Sequence, residues 1–234
     1  MVTTTTAFSG ESAPRPRIPV WEHLLVWTIR VVLLVLIIKA AINPWPLLRS
    51  RTFPSMLLFI ASFVYWGIVG RNSAPAKASE SKASKWFHQI VLMLAFVLLF
   101  WPAPGLTGWF LPQRLHFLVT AGAIVQAAFI LLAIWARRHL GRNWSRAVRV
   151  GANHELVQTG PYRLLRHPIY TAMLGMFLGT AISASQYHAL VGFGVLGVAY
   201  LRKIRLEEKI LQQTFGAGYD VYRRDTWALV PLVF

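Results

Sequence analysis

The chain has 234 residues, of which 56% are hydrophobic and 14% are charged. Because a soluble domain is usually about a quarter charged, this composition argues against a soluble protein and indicates a membrane protein. Cysteine is absent from the sequence, which excludes disulfides, a cysteine-ligated metal and a thiol nucleophile.

The net charge is +16, which in a soluble protein would suggest binding to nucleic acid. Here the Lys and Arg residues lie in the gaps between apolar runs. The positive-inside rule and attraction to anionic lipid headgroups both produce that placement. We therefore expect membrane lipids as partners and no nucleic acid.

The chain opens with residues 1–19, which are rich in Thr, Ser and Pro and are predicted to form a disordered tail. No apolar core with a cleavage site precedes the first apolar run, so we expect no signal peptide. Residues 20–136 are predicted to contain the N-terminal transmembrane helices, because about 20 apolar residues cross a bilayer. The apolar runs in this part are residues 21–42, 53–70, 86–101 and 115–136.

Residues 137–234 are predicted to form the catalytic region, which includes a second apolar stretch at residues 169–201. This stretch is too long for one span and is interrupted by the polar run Ser183-Ala184-Ser185-Gln186. We expect two short helices that form a hairpin. The whole chain is then an all-α polytopic membrane bundle with about six membrane segments and an amphipathic C-terminal tail.

The uneven distribution of Lys and Arg between the loops predicts the orientation of these segments in the membrane. The loop at residues 102–113 and the break at residues 183–186 carry no Lys or Arg, whereas residues 71–85, residues 137–167 and the tail after Arg202 are basic. The positive-inside rule places the basic loops, both termini and the active site on the cytoplasmic side. Arg49 and Arg51 fall on the outer side and are the exception.

A polar stretch at residues 151–170 is a candidate site because it combines Gly, Pro, His and Tyr residues. His167 precedes Pro168, which disfavours a helical backbone at His167 and suits the first turn of a helix at Pro168. Arg166, His167 and Tyr170 then lie around a helix N-terminus, whose free N–H groups attract anions. The alternative is an ordinary basic interfacial loop with Tyr anchors.

Two adjacent carboxylates, Glu207 and Glu208, form a second candidate, and the whole chain has 8 acidic residues. They lie within about two helical turns of the last apolar run, where unpaired carboxylates are costly. Lys203 and Arg205 are at a helical spacing from them and offer an ordinary structural pairing. The functional alternative is a ribose hydroxyl or a cationic ligand.

Beyond the carboxylates, Gly216 and Gly218 are predicted to end the helix. Tyr219, Tyr222 and Arg223 follow at spacings that place them on one face of a short amphipathic helix.

The run GFGVLG at residues 192–197 fits a dinucleotide-binding pattern, but it lies within an apolar segment. Close helix packing is the better interpretation of its glycines.

The ordered set of motifs GPYRLLRHPIY at residues 160–170 and LEEKILQQTFGAGYDVYRR at residues 206–224 resembles the isoprenylcysteine carboxyl methyltransferase family and the related phospholipid methyltransferases. The resemblance extends over roughly residues 140–231. It departs at Ala172, where members often have Gly. It implies transfer of a methyl group from S-adenosylmethionine to a lipid or lipid-modified acceptor. The residues that it implies for binding S-adenosylmethionine are Gly160, Tyr162, His167, Tyr170, Glu207 and Glu208.

The acceptor decides which residues are catalytic. A carboxylate is already ionised near pH 7 and needs an orienting cation rather than a base, for which Arg166, Arg205 and Arg223 are candidates. An ethanolamine amine needs a base, and Glu208, His167 and Tyr222 are then candidates. Carboxyl methylation of an isoprenylcysteine-like substrate is the primary expectation, and phospholipid N-methylation is the alternative.

A reductase of the sterol-reductase type is a third possibility, in which arginines at residues 137–149 would bind the extra phosphate of NADPH. Metal catalysis is not expected because the remaining histidines show no ligand spacing. These histidines are His23, His88, His116, His139 and His188.

Overall fold

The computed structural model describes residues 50–69, 78–79, 81–101, 104–112, 114–141, 149–150 and 156–231. The predicted N-terminal tail and the first predicted membrane segment lie outside the described residues, as does Arg49. Six α-helices, one 3-10 turn and a pair of two-residue strands make up the described part. They are α1 (Phe53–Val69), β1 (Ala78–Ser79), α2 (Lys82–Phe100), α3 (Phe117–Leu140), β2 (Arg149–Val150), the 3-10 turn (Gly160–Arg163), α4 (Pro168–Ala184), α5 (Tyr187–Phe215) and α6 (Ala217–Arg224).

The all-α prediction is confirmed, since the antiparallel pair of β1 and β2 is a minor addition. Helix α2 begins at Lys82 rather than at residue 86, because the Ser81 side chain caps it by accepting a hydrogen bond from the Ser84 N–H at 3.2 Å. Helix α3 continues past residue 136 to Leu140. The basic side chains of its last turn suit the negative end of the helix dipole.

Two helical segments, Ala83–Phe100 and Phe117–Leu140, are long and apolar enough to cross a membrane. Helices α1 and α4 are also apolar but have 17 residues each. Large apolar side chains face outward on several helices, including Ile68, Leu131 and Val198, each about two-thirds exposed. Contiguous exposed apolar faces are unfavourable in water and suit a lipid environment.

The most buried helix is α4, which packs most extensively against α3 and also contacts α5. A methyl group at Gly179 would lie 2.5 Å from the Gly122 carbonyl oxygen of α3, so only glycine permits this approach of the two backbones. A methyl group at Gly175 would likewise overlap the Phe129 ring of α3, so both glycines permit close packing of α4 on α3.

An aromatic cluster joins α1, α2 and α4. Phe59 meets Phe96, Phe100 and Phe177 edge-to-face, with ring centroids 5.4 to 5.7 Å apart. Such edge-to-face pairs add to the stabilisation from burial alone. The cluster therefore fixes three helices relative to one another within the apolar core.

Polar contacts connect the helices near the C-terminal end of α4. Gln126 Nε2 donates to the Ser55 carbonyl at 3.0 Å, and Thr180 Oγ1 donates to Gln126 Oε1 at 3.4 Å. Arg51 Nε donates to the Ser183 carbonyl at 3.1 Å, and its guanidinium lies 5.7 Å from the centroid of the Trp109 ring. Arg51, one of the two arginines that depart from the charge asymmetry, therefore connects helices at this end of the bundle.

The predicted helical hairpin is confirmed, but its second helix is long rather than short, since α5 has 29 residues and continues past the apolar stretch to Phe215. Helix α4 ends at Ala184, Ser185 adopts a left-handed backbone with φ of +57°, and α5 begins at Tyr187. The glycine-rich run at residues 192–197 lies inside α5. It therefore lacks the preceding strand that a dinucleotide-binding turn requires.

Candidate active site

The turn that leads into α4 requires glycine at its first position. Gly160 has φ of +59°, and a methyl group there would lie 2.3 Å from His139 Cδ2. The 3-10 turn then buries Tyr162, and α4 begins at Pro168 as predicted. This geometry places Arg166 and His167 immediately before the helix.

The two carboxylates of α5 contact this turn, although about 40 residues separate the two segments. Tyr170 Oη donates to Glu207 Oε2 at 2.6 Å, and Arg166 Nε donates to Glu208 Oε1 at 2.8 Å. His167 lies between them, with Nδ1 3.8 Å from Glu207 Oε2 and Nε2 3.4 Å from Glu208 Oε1. The His167 side chain is 3% exposed and the Glu207 side chain is 28% exposed, so the interior of the cluster is shielded from water while its edge at Glu207 is open.

Of the two cations that the structural alternative offered to the carboxylates, Arg205 is exposed and makes no hydrogen bond or ion pair within the described residues. Lys203 places Nζ 5.4 Å from the centroid of the Tyr170 ring, whose hydroxyl binds Glu207. The carboxylates therefore contact the start of α4 as well as the surface of their own helix.

Glu208 belongs to the polar extension of α5, seven residues beyond the apolar stretch that ends at Leu201. Burial opposes its ionisation and by itself raises its pKa, but the adjacent His167 and Arg166 outweigh that effect and hold the pKa at about 2. The pair His167 Nε2 and Glu208 Oε1 is close enough for an ion pair, although it is not aligned as a hydrogen bond. Glu208 is consequently an anion at every physiological pH.

Aromatic rings line the other side of the cluster. The His167 and Tyr170 rings stack with centroids 5.5 Å apart, and Tyr170 stacks on Tyr200 at 4.9 Å. Tyr162 is buried; burial, and then the charge of Glu207, raise the pKa of its hydroxyl. All six residues predicted to bind the methyl donor thus lie in this cluster or in the turn beside it.

A C-terminal segment that the sequence did not reveal completes the site. Residues 226–229, here called the C-terminal strap, run beside the turn before α4. The Trp227 N–H donates to the Leu164 carbonyl at 3.1 Å, and the Arg166 and His167 N–H groups donate to the Trp227 and Ala228 carbonyls at 2.8 and 3.1 Å. Thr226, Ala228 and Leu229 are buried as a result.

The Arg166 side chain makes three hydrogen bonds in this arrangement, through Nε and Nη1. Besides Glu208, its guanidinium donates through Nη1 to the Arg223 carbonyl at 3.0 Å and to the Thr226 carbonyl. The side chain is 10% exposed. Arg166 therefore ties the carboxylate to the end of α6 and to the C-terminal strap.

Helix α6 contributes the remaining predicted residues. Tyr222 Oη donates to the Tyr162 carbonyl at 2.7 Å, which fixes α6 against the 3-10 turn, and burial raises its pKa. Arg223 places Nε 3.8 Å from Glu208 Oε2, and its side chain is 59% exposed. Tyr219, a residue without a predicted role, is buried on the same helix. The spacing of three residues between Tyr219 and Tyr222 is the feature of the sequence that predicted a common face for them on this helix.

Comparison with known proteins places this cluster in a family. Protein-S-isoprenylcysteine O-methyltransferase A of Arabidopsis thaliana is 30% identical over 193 residues, which cover 79% of this chain and 93% of the relative. The chain belongs to the isoprenylcysteine carboxyl methyltransferase family. The Dictyostelium discoideum protein-S-isoprenylcysteine O-methyltransferase is 27% identical over 189 residues, covering 77% of this chain and 78% of the relative.

Two further comparisons agree with membership of the isoprenylcysteine carboxyl methyltransferase family. A family model described as phospholipid methyltransferase matches residues 117–218. A structure of the eukaryotic intramembrane Ras methyltransferase aligns with a TM-score of 0.51 and 19% identity over 78% of this chain and 65% of that chain, which shows a common fold. The chain is therefore an integral membrane methyltransferase rather than a reductase of the sterol-reductase type.

Proposed function

We propose that the chain transfers the methyl group of S-adenosylmethionine to the carboxylate of an isoprenylcysteine-type acceptor. The observation that carries the proposal is the pair Glu207 and Glu208, held by Tyr170, His167 and Arg166 at the start of α4. The names of the relatives support the acceptor class, since they are O-methyltransferases of protein-S-isoprenylcysteine.

The cluster has the chemistry that such a methyl donor needs. The donor combines a cationic sulfonium with ribose hydroxyls, and it supplies an activated methyl group when bound. Glu207 and Glu208 offer anionic acceptors, and the stacked rings of His167, Tyr170 and Tyr200 offer apolar faces. His167 Nε2 is buried without a hydrogen-bond partner in the described part of the chain, which leaves a polar atom for a ligand. These residues would hold the donor.

The acceptor carboxylate needs a cation to orient it, and the three predicted arginines differ in what they offer. Arg166 Nε and Nη1 are occupied by Glu208 and by the carbonyls around the C-terminal strap, and Arg205 is exposed without a contact to the cluster in the described residues. Arg223 is mostly exposed and reaches Glu208 at 3.8 Å. We therefore assign Arg223 the orienting role and Arg166 the role of holding the site in shape.

The carboxylate acceptor makes a general base unnecessary, because it is ionised near pH 7. In-line displacement then depends on alignment of the nucleophile with the methyl group and sulfur. The rigid contacts of the cluster supply that alignment. Tyr222, predicted as a candidate base for an amine, has its hydroxyl engaged with the Tyr162 carbonyl, which fits a structural role better.

The membrane arrangement in this proposal has six spans, with the active site and both termini in the cytoplasm. Support comes from the basic residues around the site, including Arg163, Arg166, Lys209, Arg223 and Arg224. A prenyl chain would approach from the apolar side of the bundle, and the water-soluble donor would approach from the basic side.

Phospholipid N-methylation is a second candidate because residues 117–218 match the phospholipid methyltransferase model. An ammonium headgroup must lose a proton before it can attack the methyl group. Glu207, which accepts a hydrogen bond from Tyr170, is a carboxylate at the site that would accept this proton. Carboxyl methylation needs no such step and therefore fits the cluster more simply.

The deciding experiment measures methyl transfer by the detergent-purified protein from labelled S-adenosylmethionine. N-acetyl-S-farnesyl-cysteine and phosphatidylethanolamine are compared as acceptors, and a methyl ester is distinguished by its release as methanol in base. We expect base-labile product from the farnesylated cysteine. Label in phosphatidylethanolamine alone would favour the second candidate, and label in neither would contradict both.

A matched pair of variants tests the assignment of the arginine. Arg223→Ala is expected to raise the KM for the acceptor roughly tenfold or more, because a bidentate charged contact is lost. Arg205→Ala removes an exposed arginine of α5 that makes no hydrogen bond or ion pair within the described residues, and it is expected to leave the KM unchanged. Equal effects of the two substitutions would contradict the role of Arg223.

A further inference from the structure

The hydroxyl group of Tyr219 is an unexplained feature of the site. Tyr219 is 1% exposed, and its hydroxyl has no hydrogen-bond partner within the residues that the structure describes. Tyr222, three residues later on the same helix, donates its hydroxyl to the Tyr162 carbonyl at 2.7 Å. A buried hydroxyl without a partner lowers the stability of the fold, so phenylalanine would be the more stable residue here. The presence of tyrosine therefore indicates that the hydroxyl has a function.

The position of α6 points to the donor site. Tyr219 lies one helical turn before Arg223, and Arg223 places Nε 3.8 Å from Glu208 Oε2, so this face of α6 is turned towards that carboxylate. His167 Nε2 is a second buried atom without a hydrogen bond in the described residues, and it lies 3.4 Å from Glu208 Oε1. Burial raises the pKa of Tyr219, so its hydroxyl stays protonated and can donate.

The charges around Tyr219 restrict what a ligand can place there. Glu207 and Glu208 would repel an anionic group, and a group that only donates would leave the Tyr219 O–H without an acceptor. A neutral hydroxyl satisfies both partners, because it accepts from Tyr219 and donates to a carboxylate. The ribose of an adenosyl ligand carries such hydroxyls.

We propose that Tyr219 is a binding residue of the methyl-donor site and that it donates a hydrogen bond to a ribose hydroxyl whose own proton goes to Glu208. The assignment rests on the proposed function, since it presupposes an adenosyl donor. It adds α6 to the helices that hold this ligand and gives the buried phenol a partner in the bound state.

The test compares Tyr219→Phe with Tyr222→Phe in the full-length detergent-purified protein. Thermal unfolding without ligand is measured first, and calorimetric titration with S-adenosylhomocysteine follows. Tyr219→Phe is expected to unfold at the same temperature as the unchanged protein or higher, and to bind about threefold to tenfold more weakly, the loss of one neutral hydrogen bond. Tyr222→Phe is expected to unfold at a lower temperature because it loses a bond within the protein.

A third titration uses 5′-methylthioadenosine, which keeps the ribose and lacks the amino-acid part. Tyr219→Phe is expected to weaken this ligand by the same factor as S-adenosylhomocysteine. A loss confined to S-adenosylhomocysteine would overturn the assignment to ribose, and unchanged affinity for both ligands would overturn the role of Tyr219 altogether. If the unchanged protein binds neither ligand, the proposed function itself fails together with this inference.

Discussion

Replacement of Glu208 by glutamine tests the electrostatics of the site most directly. The carboxyl has a pKa of about 2 in the folded protein against an ordinary 4.5. At 1.36 kcal/mol per unit, the difference corresponds to about 3 kcal/mol of stability, and partial solvent screening of a side chain that is 15% exposed reduces this to about 2 kcal/mol. A depressed pKa stabilises the fold fully above pH 4.5, and this contribution is lost as the pH falls from 4.5 towards 2.

The assay is thermal unfolding of the detergent-purified protein between pH 7 and pH 3. Glu208→Gln is expected to lower the Tm at pH 7, because Arg166 loses its charged partner, and to show a smaller fall of Tm with acid than the unchanged protein. Asp225→Asn is the matched control, since it removes an exposed carboxyl that makes no ion pair within the described residues. If Glu208→Gln keeps the Tm of the unchanged protein at pH 7 and falls equally with acid, the assigned ion pair is refuted.

Three further substitutions are expected to act through geometry. Gly160→Ala forces a methyl group against His139 at a backbone with φ of +59°, and is expected to lower the stability by about 2 kcal/mol, measured as a loss of Tm. Gln126→Leu removes hydrogen bonds between helices inside the bundle and is expected to cost about 1 kcal/mol in the same assay. Arg166→Lys keeps the charge but loses the forked contacts to Glu208 and the C-terminal strap, so limited proteolysis is expected to cleave the C-terminal end of the chain faster than in the unchanged protein.

The helix hairpin and the start of α4 were predictable because local rules decide them. Pro168 both disfavours a helical His167 and starts the next helix, and the polar break around Ser185 interrupts an apolar stretch too long for one span. The end of α5 at Phe215 likewise follows from Gly216, whose φ is +51°. None of these features depends on contacts with residues that are far away along the chain.

The pairing of the site residues was not predictable by the same rules. Helical spacing offered Lys203 and Arg205 as partners for the carboxylates, but it could not show that Arg166 and Tyr170, about 40 residues away at the start of α4, also contact them. The C-terminal strap was missed because its contacts use backbone N–H and carbonyl groups, which carry no signature in side-chain chemistry. Tertiary packing of the hairpin, rather than local propensity, brings these groups together.

The two adjacent carboxylates favour a cationic group over an anionic one beside the stacked rings. Glu207 and Glu208 both contact the start of α4, where the His167 and Tyr170 rings stack. A sulfonium group placed there would be attracted by both carboxylates, whereas a phosphate of NADPH placed there would be repelled by them. This electrostatic preference agrees with the family membership, which indicates a methyl donor.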